Sequence, residues 1–292
     1  PTPTSTRKPP SARMKATGYH GWFKWHYAVL VLALIVSAFP FYWMFVASTN
    51  TNAAIRSMPP ALLPGGNFAN NTSVVFERMN FWQAFTNSVM VSSIITVSTL
   101  FFCTLAGFAF AKMTFKGRNA LMTFVVLTIT IPLNQLGLIP LFMLMARFGW
   151  VGQLRAIIVP GLVSAFGVFW MRQVIVASVH DELLEAGRVD GCSMFGLFRH
   201  VVVPSVRSGA AVLGLFTFLF VWNDFLWPLV VLRSVPNNHT LQVALRALND
   251  AYYTEYTVVI TGVLLATLPL IVVFVFFSKQ MIAGVMEGAV KG

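Results

Sequence analysis

The chain has 292 residues, of which 57% are apolar and only 10% charged, with a mean hydropathy of +0.74 and a formal net charge of +11. Average soluble chains carry roughly 25% charged residues, so lipid must replace water around much of this one. Disorder, a nucleic-acid-binding domain and a disulfide-stapled secreted module are excluded together, because each needs polar surface or many cysteines.

Residues 1–24 are rich in Pro, Ser, Thr and basic side chains and carry no cleavage-site pattern, which predicts a disordered basic cytoplasmic tail. A helix needs about 20 mostly apolar residues to cross the hydrocarbon core. Runs of that kind predict an all-α membrane protein whose six spans, within one domain 25–292, cover about 26–48, 83–111, 120–146, 153–176, 207–232 and 257–279. Trp22, Trp25 and Trp43 bracket the first span as interfacial anchors would. The fourth is the shortest apolar run, 156–171, about 24 Å of helix; extended to 153–176, it places Arg155 and Arg172 where their stems can snorkel to the interface. Cys103 and Cys192 fall at different depths and are expected to stay reduced, and neither they nor the five histidines have metal-ligand spacing.

Six spans put both termini on one side, and alternate segments divide the Lys and Arg residues 14 to six. The richer side holds the termini and the 177–206 loop, which makes it cytoplasmic by the positive-inside rule. That loop contains four of the nine acidic residues, Asp181, Glu182, Glu185 and Asp190. Leu183, Leu184, Val189 and Phe195 are interspersed with charge, which predicts a short amphipathic helix, a break at Gly191 and a second helix. Such a helix-turn-helix buries its apolar side against a partner or lies on lipid headgroups.

The residues of this loop resemble a known family. Glu185-Ala186-Gly187, three residues, Gly191, nine residues, Val201, one residue, Val203-Pro204 follows the spacing of the EAA loop of bacterial ABC-importer permeases, with Gly187, Val201 and Val203 departing from the family's Ala, Ile and Leu. Ile131-Pro132 through Pro140-Leu141-Phe142, the run Trp222-Asn223-Asp224-Phe225-Leu226-Trp227-Pro228, and Gly288-Ala289-Val290-Lys291-Gly292 look like the second, maltose-type permease subunit of carbohydrate uptake. The resemblance implies a bacterial plasma-membrane chain that is not an enzyme. It also implies a second homologous permease, a dimeric ATP-binding subunit that holds ATP and Mg, and an extracytoplasmic sugar-binding protein. No cofactor is expected in this chain, whose sequence has no G-x-x-x-x-G-K-[ST] motif.

In that family the EAA helix sits in a groove of the ATPase. The resemblance therefore assigns Glu185 to a polar partner, Ala186 and Gly187 to close approach, Gly191 to the turn and Pro204 to stopping the second helix. Asp190 is read either as the cap of the second helix or as a solvated carboxylate. For the substrate path, polar groups inside spans are the candidates, because lipid-facing helices carry few. Asn134 and Gln135 lie in the third span and Trp222, Asn223, Asp224 and Trp227 in the fifth. Amides, a carboxylate and aromatic faces suit a sugar, while interhelical hydrogen bonding within the permease explains them equally well. The 233–255 loop, with Asn237, Asn238, Asn249 and Asp250, is an external connector that in the family reaches into the binding protein. Glycerophosphate or polyol transport is the alternative substrate reading, and an intramembrane enzyme a more distant one. No arginine lies in the apolar interior of the spans to favour phosphate, Arg155, Arg172 and Arg207 falling at their ends, and Asp224 has no partner carboxylate or His at its depth to favour catalysis.

Overall fold

The computed structural model describes residues 20–131, 136–249 and 254–289, with side chains for 25–131, 136–249 and 254–277. Of the tail expected over 1–24, residues 1–19 lie outside the described residues, as do Asn134, Gln135, Asp250 and residues 290–292, while 20–24 are not a disordered tail but the first turn of a helix that runs on into the apolar stretch. The described residues form helices and connectors with no strand.

In chain order the helices are α1 (His20–Thr49), α2 (Asn52–Arg56), α3 (Phe68–Arg78), α4 (Phe81–Lys112), α5 (Arg118–Thr130), α6 (Leu138–Arg147), α7 (Arg155–Gly161) and α8 (Ala165–Ser178). Then come α9 (Asp181–Val189), α10 (Met194–Ser205, with a π-helical turn at Phe198–Val202), α11 (Arg207–Trp222), α12 (Leu226–Leu232), α13 (Leu241–Leu245) and α14 (Tyr256–Ala289). Four stretches are long and apolar enough to cross a membrane: Trp25–Thr49, Phe81–Lys112, Arg155–Ser178 and Tyr256–Phe277. The pair α10 and α11, bent by 78°, passes the same test only when the two are counted together. The four fall on the first, second, fourth and sixth predicted spans, and α11 covers the first part of the fifth, with α10 in the predicted 177–206 loop.

Two predicted spans differ in detail. The stretch 120–146 is represented by the shorter α5 and α6. The stretch 207–232 is not one helix: α11 stops at Trp222 and α12 starts at Leu226. The reason is local competition for backbone groups. The Asn223 amide turns back to donate to Leu219 O at 2.8 Å, while the Asp224 N–H closes a tighter turn on Val221 O at 3.3 Å. Pro228 falls in the first turn of α12, where its missing N–H leaves no intrahelical bond unmade.

The helices pack around α4, which lies against α8 on one side and α11 on another, while α14 packs on α1, α11 and α3. Close approach depends on small residues, the packing mode that membrane helices favour where apolar burial gives no drive. A Cβ on Gly107 of α4 would sit 2.8 Å from the backbone nitrogen of Arg172, and one on Gly167 of α8 would sit 2.7 Å from Cys103 Sγ. Three buried clusters result. One joins α4, α8 and α11 to α9 and α10; a second joins α3, α4, α13 and α14 around Trp222; a third joins α4, α6, α7 and α12. Outside these clusters the apolar surface is open: Leu30, Leu34, Ile35 and Phe39 of α1 are all exposed, as a lipid-facing or partner-facing helix requires.

Candidate functional site

α9 begins with Asp181 and Glu182 and ends with Arg188, so its charges oppose the helix dipole at both ends. Leu184 and Gly187 are buried, whereas Leu183, Glu185, Ala186 and Val189 are exposed, Val189 at 87%. The helix thus shows its acidic and small residues outward and hangs from the core by a leucine. Asp181 also ties it to the end of α4 through Lys112 Nζ at 2.6 Å. The Lys112 hydrogen bond and charge hold the Asp181 carboxyl below the ordinary carboxylate range.

The turn is closed by two backbone bonds around a left-handed glycine. Gly191 has φ +80°, its N–H donates to Arg188 O at 3.0 Å, and the Cys192 N–H donates to Gly187 O at 2.9 Å. This is a Schellman cap, and it requires a residue with no steric objection to positive φ. The cap of α10 is Ser193, whose Oγ accepts from the Gly196 N–H at 3.2 Å. Asp190 therefore does not cap the second helix; it is exposed at the end of α9, three residues too early. Gly187 has a tertiary role beyond being small, since a Cβ there would lie 2.5 Å from Leu197 Cδ2. Pro204 is exposed just after the π-helical turn, and the chain bends between Ser205 and Arg207. The Val206 N–H still reaches Val202 O at 3.1 Å and the Ala210 N–H reaches Val206 O at 2.8 Å. Hydrogen bonds thus carry the chain through the bend.

The apolar side of this helix-turn-helix is continuous with the membrane helices. Leu184, Leu197, Phe198, Val202 and Val206 share one buried cluster with Cys103, Phe108, Met171, Ile175 and Leu213. At 25 cal/mol per Å² of buried apolar area, one fully buried leucine or phenylalanine contributes about 1.5–3 kcal/mol, so α9 and α10 are held firmly.

At the break in the fifth predicted span, Trp222 is 1% exposed, its indole N–H donates to Ala266 O on α14 at 3.3 Å, and its ring stacks on Phe218 at 5.7 Å. Trp227 donates to Ala156 O on α7 at 3.1 Å. Both indoles are spent on the fold, whereas Asn223 is exposed and Asp224 half-buried between them.

The 233–249 stretch is more than a solvated connector. Leu241, Val243, Ala244, Leu245 and Leu248 are buried on and beside α13. Asn87 of α4, 2% exposed, donates to Asn237 O at 2.9 Å and His239 O at 3.0 Å, and Ser88 Oγ accepts from the Leu241 N–H at 2.7 Å. The Asn238 amide donates to Gly152 O at 2.7 Å, and the Asn237 and Asn249 side chains are exposed. Asn87 and Ser88 were missed among the candidates, although an amide and a hydroxyl in an apolar span carry the same signal as Asn134 does.

Residues 101–283 match the family described as binding-protein-dependent transport system inner membrane component. The chain is 37% identical over 265 residues to the lactose transport system permease protein of Rhizobium radiobacter, covering 91% of this chain and 95% of that one. It is 33% identical over 260 residues to an arabinooligosaccharides transport system permease protein of Halalkalibacterium halodurans, covering 88% and 92%. A chain from the crystal structure of a bacterial ABC transporter involved in import of the acidic polysaccharide alginate shares the fold, with TM-score 0.77, 21% identity and coverage of 91% and 98%.

Proposed function

The chain belongs to the family of binding-protein-dependent transport inner-membrane components, and from that premise we propose that it forms half of a six-span-per-chain path through which an ATP-driven importer carries a di- or oligosaccharide. Its relatives transport lactose and arabinooligosaccharides, by name, and the same substrate class suits the amide and carboxylate chemistry at the break after Trp222. In this reading α5 and α6 together make the third span. Both termini and the α9–α10 hairpin face the cytoplasm, in a bacterial plasma membrane.

The observation that carries the coupling role is the buried cluster that α9 and α10 share with α4, α8 and α11. A partner ATPase, itself holding ATP and Mg, grips Glu185, Ala186 and Asp190, while Gly187, Gly191 and Pro204 fix the shape it grips. Because interiors are close-packed and transmit strain, a push on α9 moves three spans together rather than deforming the loop. Asn223 and Asp224, with Asn134 and Gln135, line the path, and Trp222 and Trp227 brace the break from behind. Asn237, Asn238, Asn249 and Asp250 meet the extracytoplasmic binding protein, and a second, homologous permease completes the path.

The test is to purify the tagged chain from its own membrane and identify its companions, then measure ATP-dependent sugar uptake in proteoliposomes. A complex with an ATPase, a second permease and a binding protein, whose uptake is abolished by Glu185→Lys without loss of this chain from the membrane, is the expected result. Normal uptake by that variant would refute the coupling role.

A further inference from the structure

We propose that the junction of α3 and α4 carries a carbohydrate-receiving cleft at the outward mouth of the path, an inference that rests on the sugar-importer reading and names a new site for it. An open cleft of about 340 Å³ is lined by Phe76, Glu77, Arg78, Asn80, Phe81 and Trp82, within the size range of small-molecule sites. Trp82 is 65% and Phe76 41% exposed, and their rings stack at 6.1 Å and 27°. An exposed aromatic pair beside a carboxylate, a guanidinium and an amide is the donor, acceptor and ring-face set that a pyranose needs, with C–H groups on the ring and hydroxyls on the side chains.

Arg78 also lines an adjoining cleft of about 240 Å³ with Asn52, Asn67, Asn70, Asn71 and Glu255. The Arg78–Glu255 ion pair, at 2.9 Å, sits where the two clefts meet, so the pair of them accommodates neighbouring sugar units of one chain. The rings continue inward. Trp82 and Phe81 both contact Phe85, at 6.0 and 6.2 Å, and Phe85 meets Trp222 edge-on at 5.9 Å, directly before Asn223 and Asp224. An aromatic column thus joins the cleft to the break in the path. An interfacial tryptophan facing lipid is the competing explanation of Trp82. The charged and amide side chains that surround it in a concave site favour sugar.

The experiment uses the whole importer in nanodiscs, without binding protein, with lactose and arabinotriose as probes. Hydroxyl-radical footprinting reads the oxidation of Trp82, and uptake in proteoliposomes with saturating binding protein reads function. We expect several-fold, sugar-dependent protection of Trp82. We also expect a several-fold lower maximal uptake for Trp82→Ala, recovery of most of that rate in Trp82→Phe, and unchanged assembly in both. Normal sugar uptake with no protection overturns the cleft and leaves the importer reading intact. Equal protection with and without sugar makes Trp82 a lipid anchor and also overturns it. Neither uptake nor protection with either probe defeats the cleft together with the sugar assignment.

Discussion

Replacement of Gly191 separates backbone geometry from bulk. Gly191 has φ +80°, and no atom lies within 4 Å of where a Cβ would stand. A Cβ therefore meets no clash within this chain, and the effect of substitution on the turn comes from the left-handed backbone. For an L residue that conformation costs about 1–2 kcal/mol, whereas Asn visits it readily. Gly191→Val should lose about 2 kcal/mol in the turn and Gly191→Asn a small fraction of that, although the two side chains are similar in size. A loss of that order lowers the ratio of closed to open turn by roughly 5–30-fold. Hydrogen exchange reads it directly, because the Gly191 and Cys192 N–H groups close the turn on Arg188 O and Gly187 O. Uptake by the reconstituted complex reads the consequence, with the valine variant failing and the asparagine variant retaining most activity. Equal protection and equal uptake in the two variants would refute the reasoning.

Asp181→Asn removes the bond to Lys112, which is present when the carboxyl is ionised; since that carboxyl titrates below its ordinary value, about 3.9, its contribution is complete above that value and fades as pH falls through the lower folded-state value. The gap in melting temperature between parent and variant complexes should be open at pH 7 and close under acid. Trp222→Ala empties a site that is 1% exposed and deletes a bond to Ala266 O, so it should cost about 3–5 kcal/mol and reduce the amount of chain recovered from membranes, whereas Trp222→Phe should be recovered in full. Asn87→Ala leaves Asn237 O and His239 O without their shared donor, at about 1–3 kcal/mol each, and should speed proteolysis of the 233–249 segment.

Uniformly apolar spans were legible because length and missing charge suffice to define them: α4 and the apolar stretches Trp25–Thr49 and Tyr256–Phe277 lie close to the predicted boundaries, although α1 begins at His20 and α14 runs on to Ala289. The break after Trp222 was harder to read, since Asn223 and Asp224 in an apolar run are equally consistent with a polar spot on an intact helix. Only the turn of the local backbone, with the Asn223 amide on Leu219 O and the Asp224 N–H on Val221 O, decides it. α13 left a signal that composition concealed: Leu241, Ala244, Leu245 and Leu248 have helical spacing inside a polar connector. In the 181–205 hairpin, the turn glycine was legible from type and place. The choice of Ser193 over Asp190 as cap was not, because both residue types cap helices, and the fit of Gly187 to Leu197 depends on a contact across the turn that spacing cannot show.

Anchoring of α9 by Leu184 in a cluster with Met171, Ile175 and Leu213 bears on how such chains diverge. A hairpin that shares its buried side with three spans cannot be traded between relatives as a cassette. A graft of residues 181–205 brings foreign leucines to a cavity shaped by this chain's own α4, α8 and α11, and a donor with Ala at position 187 also brings a methyl group against Leu197. The exposed side, Glu185, Ala186 and Val189, carries no such constraint. Those surface positions are therefore free to drift while the buried ones change only in concert with the spans. Chimeras should respect the same division, with surface swaps retaining assembly and whole-hairpin swaps requiring compensating changes in the helices above.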